Sequence, residues 1–208
     1  MTIRFRIKET FTKIKKNISS EITKLSSKLF QTNKNKVSGY LRTYIYEAVY
    51  NCPEMESVRD GILKADFGLN FDPTGDIANS VAQSVNIDVD TRNRAGNIVG
   101  GYNINVQPIT YLNLLNLPTS IIITEKDEEL PWLDWLLNYG DAAVVYNYRV
   151  LYKNNVGRSE MAIMVPSSRF FRVNEQFSGT MDNNFITRAI SDPSFINNVR
   201  LSIDRALN

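Results

Sequence analysis

The sequence predicts an α+β fold with N-terminal helices, a mainly antiparallel sheet containing a long hairpin, and C-terminal helices. Apolar residues recur at helical spacing near both ends of the chain. They alternate with polar residues in the middle, where strand-like runs pair through turn signals as hairpins, with short helical stretches between them.

The first element is a basic amphipathic helix over residues 5–30. Ile7, Phe11, Ile14, Ile18, Ile22, Leu25 and Leu29 are separated by three or four residues throughout, a period of about 3.67 that matches an unstrained helix. Lys8, Lys13, Lys15, Lys16, Lys24 and Lys28 fall mostly off this stripe. The polar run QTNKNKVSG, residues 31–39, reads as a hinge. The expected division is therefore a helical arm, residues 1–36, and an α+β body, residues 37–208. Charge divides the same way. Residues 1–36 carry ten Lys/Arg and two Glu, a net of +8, and the other 172 carry 14 Lys/Arg and 20 Asp/Glu, a net of −6.

In the body, Ser38 can cap a helix through YLRTYIYEAVYN. After Pro53 a second helix places Met55, Val58, Ile62 and Ala65 on one side, and Gly68 stops it. A third, Thr74 to Gln83, takes Asp72 or Thr74 as its cap. SVNIDVDT and GYNINVQPI alternate as a hairpin about the loop RNRAGNIVGG. TYLNLLNLP is a helical turn and SIIITE a short buried strand. Pro131 opens a helix, with Glu128 and Glu129 at its positive end, that carries both tryptophans and ends at Gly140. AAVVYNYRVLYKN is a long strand with Val144, Tyr146, Tyr148, Val150 and Tyr152 on one face. NNVG turns it into SEMAIMVP, and SSRFFRVNEQFSGT is a further strand. NNFITRAIS, with Asp182 or Asn183 as cap, and PSFINNVRLSIDRALN are helices.

Composition bounds the chemistry. With 43% hydrophobic residues the chain can bury a core of ordinary globular type. The single cysteine, Cys52, permits neither an internal disulfide nor a Cys-rich zinc site. The absence of histidine removes the commonest general base and every Ser/His or Cys/His pairing. The N-terminal residues lack the continuous apolar run of a secretory signal, and no stretch approaches a membrane span.

Three constellations were candidates for chemistry. Asp127, Glu128, Glu129 and Asp134 are carboxylates that can hold Mg²⁺ or act as acid and base, but adjacent positions do not converge on one point. Gly96, Gly100 and Gly101 lie between strands, the wrong context for a phosphate loop. Gly157-Arg158-Ser159 and Gly179-Thr180 mark turns without a nucleophile beside a base. No catalytic residue, metal ligand or cofactor follows from any of them.

ELPWLDWLLNYGD, GRSEMAIMV and FSGTMDNNFITRAI together resemble a segment of virion structural proteins of tailed bacteriophages. The layout of N-terminal helices, antiparallel sheet with a long hairpin and C-terminal helix resembles the head–tail joining or tail-completion family. The likeness spans about residues 55–190 and leaves the arm outside. It implies a non-enzymatic subunit of a homo-oligomeric ring at the neck, between portal-side connector and tail proteins. It implies a place in the virion after synthesis in the host cytoplasm, with a tail terminator or baseplate position as the alternative. The arm has three readings of its own: packing on its own domain or a neighbouring copy, docking on another protein or near DNA in the channel, or lying on a membrane surface. Docking on protein is preferred, with no membrane partner expected. The expected interface residues are Ile7, Phe11, Ile14 and Ile18 on the arm, Trp132 and Trp135, and Gly157, Arg158 and Ser159. For the tryptophans, anchoring their helix in the core is the competing reading.

Overall fold

The computed structural model describes residues 9–94, 97–106, 110–124 and 127–207. Its spine is one 40-residue helix, α1 (Phe11–Tyr50). Thr10 caps it, its side-chain oxygen accepting from the Lys13 backbone N–H. The expected hinge at residues 31–39 is absent, and the arm and the first body helix are one rod. The run contains no proline, and its Gln and Lys residues are good helix formers. Asn33 donates its side-chain amide to the Leu29 carbonyl, and Lys36 reaches the Arg205 carbonyl at 3.4 Å. Gly39 is the weak point, at about 1 kcal/mol relative to alanine, and the braced helix runs through it.

α2 (Pro53–Asp60) and α3 (Ile62–Phe67) replace the single second helix that the spacing predicts. The break is at Gly61, where a Cβ would come within 2.7 Å of Ser57. Gly68, left-handed at φ 65°, ends α3 where expected. α4 (Thr74–Gln83) begins where Asp72 accepts from the Thr74 N–H at 2.9 Å and from its hydroxyl at 2.6 Å.

Among the described residues the strands form three separate two-stranded antiparallel sheets. β1 (Asn86–Arg94) pairs with β2 (Asn97–Asn105), matching Ile87 to Ile104 and Val89 to Tyr102. Most of the expected loop RNRAGNIVGG is therefore ladder, and residues 95–96, including Gly96, lie outside the described residues. Gly100 is a strand residue at φ 123°, where a Cβ would meet the Asp90 carbonyl oxygen at 1.9 Å. After α5 (Leu112–Leu115), β3 (Ile122–Ile123) pairs with β4 (Glu129–Leu130), followed by α6 (Trp132–Asn138).

The long hairpin is β5 (Val145–Tyr152) with β6 (Ala162–Phe171). SSRFF is the second half of β6, so the expected further strand is not separate. α7 (Phe185–Ser191) is capped by Asn184, not by Asp182 or Asn183. The Asn184 side chain accepts from the Ile186 and Thr187 N–H groups while Thr187 Oγ1 accepts from the Asn184 N–H. α8 (Pro193–Leu207) then lies along α1.

The chain is thus α+β. Val37, Leu41, Ile45 and Val49, four residues apart on α1, are fully buried against one core with Met55, Leu63, Ile77, Trp132, Leu136 and Phe185. At about 1.5–3 kcal/mol for each large apolar side chain removed from water, this C-terminal half of α1 anchors the body. The N-terminal half has no such row.

Candidate interaction surfaces

The N-terminal half of α1 has two long faces. One is covered: Ser19 is buried and Thr23, Ser26, Ser27 and Phe30 are half-buried beneath the β1–β2 hairpin. Asn93 donates to the Ser19 hydroxyl, Tyr102 donates to the Phe30 carbonyl at 2.8 Å, and the two rings meet edge to face at 5.1 Å. About a third of a turn away, by the helical repeat, lies the apolar stripe, most of which no described residue covers. Phe11 is 82% exposed, Leu25 66% and Ile18 55%, with Ile22 and Leu29 also exposed and Ile14 half-buried. The hairpin rests on small polar residues and Phe30, not on the stripe. Ile7 lies outside the described residues. Lys13 and Lys24 pair with Glu9 and Glu21 along the helix surface.

The tryptophans are not at a surface, which corrects their assignment as interface residues. Trp132 is fully buried and donates its indole N–H to the Thr119 carbonyl at 2.8 Å. Its ring centroid is 5.4 Å from that of Phe67. Trp135 is buried between Phe67 and Phe171. Helical spacing in α6 turns both, with Leu133, Leu136 and Leu137, into one core.

The Gly157-Arg158-Ser159 turn also works inside the chain. Gly157 has φ 69°, and a Cβ there would come 1.9 Å from the Ala162 carbonyl oxygen. Arg158 donates to the Ile123 carbonyl at 3.1 Å and lies over Gly68, while Ser159 is buried. The turn ties the hairpin tip to β3 and to the end of α3, and of its three residues only Ser159 is buried, Gly157 standing exposed.

One exposed surface escaped the sequence reading. Inside β5, Asn147 adopts φ 63° and the register shifts between Tyr146 and Tyr148. Before the shift Val145 packs on the core and Tyr146 is exposed; after it Val150 packs on the core and Leu151 is exposed. Tyr146 therefore leaves the face expected of it and stands outward, 6.4 Å from Phe170, with Leu151 and Ile163 paired farther along. Asn147 is the only signal for this, since asparagine tolerates the left-handed region.

Two charged constellations lie inward. Glu54, 6% exposed in its side chain, is bound by Arg188 through Nη2 at 2.6 Å and Nε at 3.1 Å. Cys52 nearby is inert, its thiol pushed up to about 12 chiefly by burial. Asp66 accepts from the Tyr152 hydroxyl, and burial holds its carboxyl above the usual range despite that bond. A carboxyl raised in the fold stabilises most when protonated, and that contribution is lost as pH rises through its folded value. Asp66→Asn is thus expected to gain stability relative to the native chain as pH rises from below the carboxylate range to neutrality. Urea denaturation across that range checks this, and a difference constant with pH would refute it.

The carboxylates at residues 127–134 do not form a site. Glu129 is in β4, and Asp134 accepts from the Asn138 amide within α6. Among the described residues, no three of His, Cys, Asp and Glu are placed to hold a metal, and no helix is long and apolar enough to cross a membrane. The chain matches no protein family, no curated protein and no solved structure.

Proposed function

We propose that this chain is a structural, non-catalytic virion subunit of a tailed bacteriophage, assembling as a homo-oligomeric ring at the neck between portal-side connector and tail proteins. The observation that carries the reading is the apolar stripe of α1, held out on an unbroken helix and left exposed by the described residues of its own chain. Several large side chains in a row on one helix mark a protein contact. The resemblance in ELPWLDWLLNYGD, GRSEMAIMV and FSGTMDNNFITRAI supports a phage virion as the setting. A ring subunit needs two complementary faces and no cofactor. The test of position is electron microscopy of intact particles carrying a labelled chain. Label at the head–tail junction is expected. Label elsewhere on the tail would move the subunit to a terminator or baseplate role, and absence from particles would overturn the virion reading.

The contact itself is tested by Ile18→Asp with Leu25→Asp. Both side chains are exposed, so helicity and melting should stay near those of the native chain. Assembly should weaken by about thirtyfold or more, as for the loss of a central interface side chain. Unchanged assembly would show that the stripe is not a contact. Deleting residues 1–36 is a poorer test, because it also removes the Ser19, Thr23 and Phe30 surface on which the β1–β2 hairpin rests. A second reading, non-specific DNA contact in the channel, draws on the lysines of the arm. It predicts DNA binding that falls steeply with salt and survives the Ile18 and Leu25 substitutions.

A further inference from the structure

We propose that the apolar, basic stripe of α1 seats in a groove at the opposite end of α1 on a second copy of this chain, joining subunits head to tail. The groove lies between the C-terminal part of α1 and the α7–α8 corner and encloses about 600 Å³. Tyr44, Glu47 and Ala48 form one wall and Asp192 and Phe195 the other, with Phe185 buried at the floor. Its lining mixes apolar side chains with polar ones, among them Asn51, Gln176 and Asn198, and its carboxylates outnumber its one cation, Arg188. The deeper carboxylate, Glu54, is already bound by Arg188. That leaves Glu47 and Asp192 as the charges the groove presents. The Asp192 carboxyl is held below its usual range by the Ser194 hydroxyl and backbone N–H, so it is ionised at neutral pH.

Charge and length together identify the occupant. Residues 1–36 carry a net +8 and the remainder −6, so the arm of one copy is complementary to the body of another. Lys15 stands about 70° around the helix from the Phe11, Ile14 and Ile18 stripe and flanks it, whereas Lys13 and Lys16 project from the far side. The stripe cannot reach its own groove. Ile14 and Ala48 lie on one unbroken helix, 34 residues apart, which at 1.5 Å per residue separates them by roughly 50 Å. A contact between two different patches on identical subunits is heterologous and repeats from copy to copy, closing into a ring or running on as a filament. The inference deepens the ring reading and rests on it only for closure; the contact is tested on purified protein.

The experiment is Ile14→Cys with Ala48→Cys in the full chain under mild oxidation. The native Cys52 lines the groove and is replaced by Ser in each of these variants. A disulfide within one subunit is excluded by the helix, so the expected product is a ladder of dimers, trimers and larger species on non-reducing gels. Ile14→Cys alone should give nothing beyond dimers. Glu47→Lys with Asp192→Lys should weaken self-association by roughly a hundredfold, and separately Lys15→Glu by roughly tenfold, through like charges at the contact. Combining all three should recover part of the loss. Thermal melting of each variant separates a lost contact from a lost fold. Dimers only, no covalent product, or a triple variant that associates no better than Glu47→Lys with Asp192→Lys would overturn the proposal. A ladder from a protein absent from particles would leave the contact standing and remove the virion role. A neck location without a ladder would do the reverse.

Discussion

Trp132→Ala is expected to cost about 3–5 kcal/mol of stability, the range for truncating a large core aromatic. The side chain is fully buried and its neighbours cannot collapse readily into the space. Phe67 stands on one side, and Leu133 and Leu136 are fixed by the same helix turn. A polar loss adds to the cavity, because the Thr119 carbonyl gives up the indole N–H that satisfies it at 2.8 Å. Trp132→Phe separates the two contributions. It keeps most of the packing and strands only the carbonyl, for about 1–3 kcal/mol. Urea denaturation of the three proteins measures both. If the alanine variant loses less than about 1 kcal/mol, well under the range for core aromatics, then Trp132 is not the anchor described here.

Arg188→Met should be nearly as severe, at about 3–5 kcal/mol, because it leaves the Glu54 carboxylate buried without its partner. Arg188 also donates to the carbonyls of Phe177, Ser178 and Asn183, so the loop before α7 loses its tie to α2. Glu54→Met should cost less, since the remaining guanidinium is partly exposed and keeps those carbonyls. The double variant Glu54→Met/Arg188→Met should be milder than Arg188→Met alone, because an apolar pair of similar volume is tolerated where a lone buried charge is not. A double-mutant cycle by denaturation tests this, and additive losses would show that the two side chains do not act as a pair.

Much of this was legible in the sequence, for definite reasons. The 3.6 and 2.0 periods are direct consequences of backbone geometry, so the α+β class and most elements could be read from them. The stripe from Phe11 to Leu29 was equally plain. Where this half of the helix meets its own chain was not, because the hairpin rests on Ser19, Thr23 and Phe30, which carry no hydrophobic signal beyond one ring. The hinge failed because a polar run is not itself a helix breaker; the Lys36 contact to α8 is long-range. The tryptophan site failed for the opposite reason. A dense apolar helix fits a core or an interface equally well, and only tertiary burial distinguishes them. Asn147 shows how one left-handed residue reassigns the faces of a whole strand, and with them the outward Tyr146–Phe170 surface.

The unbroken α1 also makes distance and direction inseparable. Were residues 31–36 a flexible tether, an insertion there would merely lengthen the reach of the arm. On a helix each added residue advances the stripe by 1.5 Å and rotates it by about 100°. One extra residue would aim Phe11 and Ile18 away from any partner that now faces them. An insertion of seven, close to two full turns, would nearly restore their bearing at a longer span. The spacing between the ends of this rod is therefore geared in whole turns, and its length can change only in steps that keep phase.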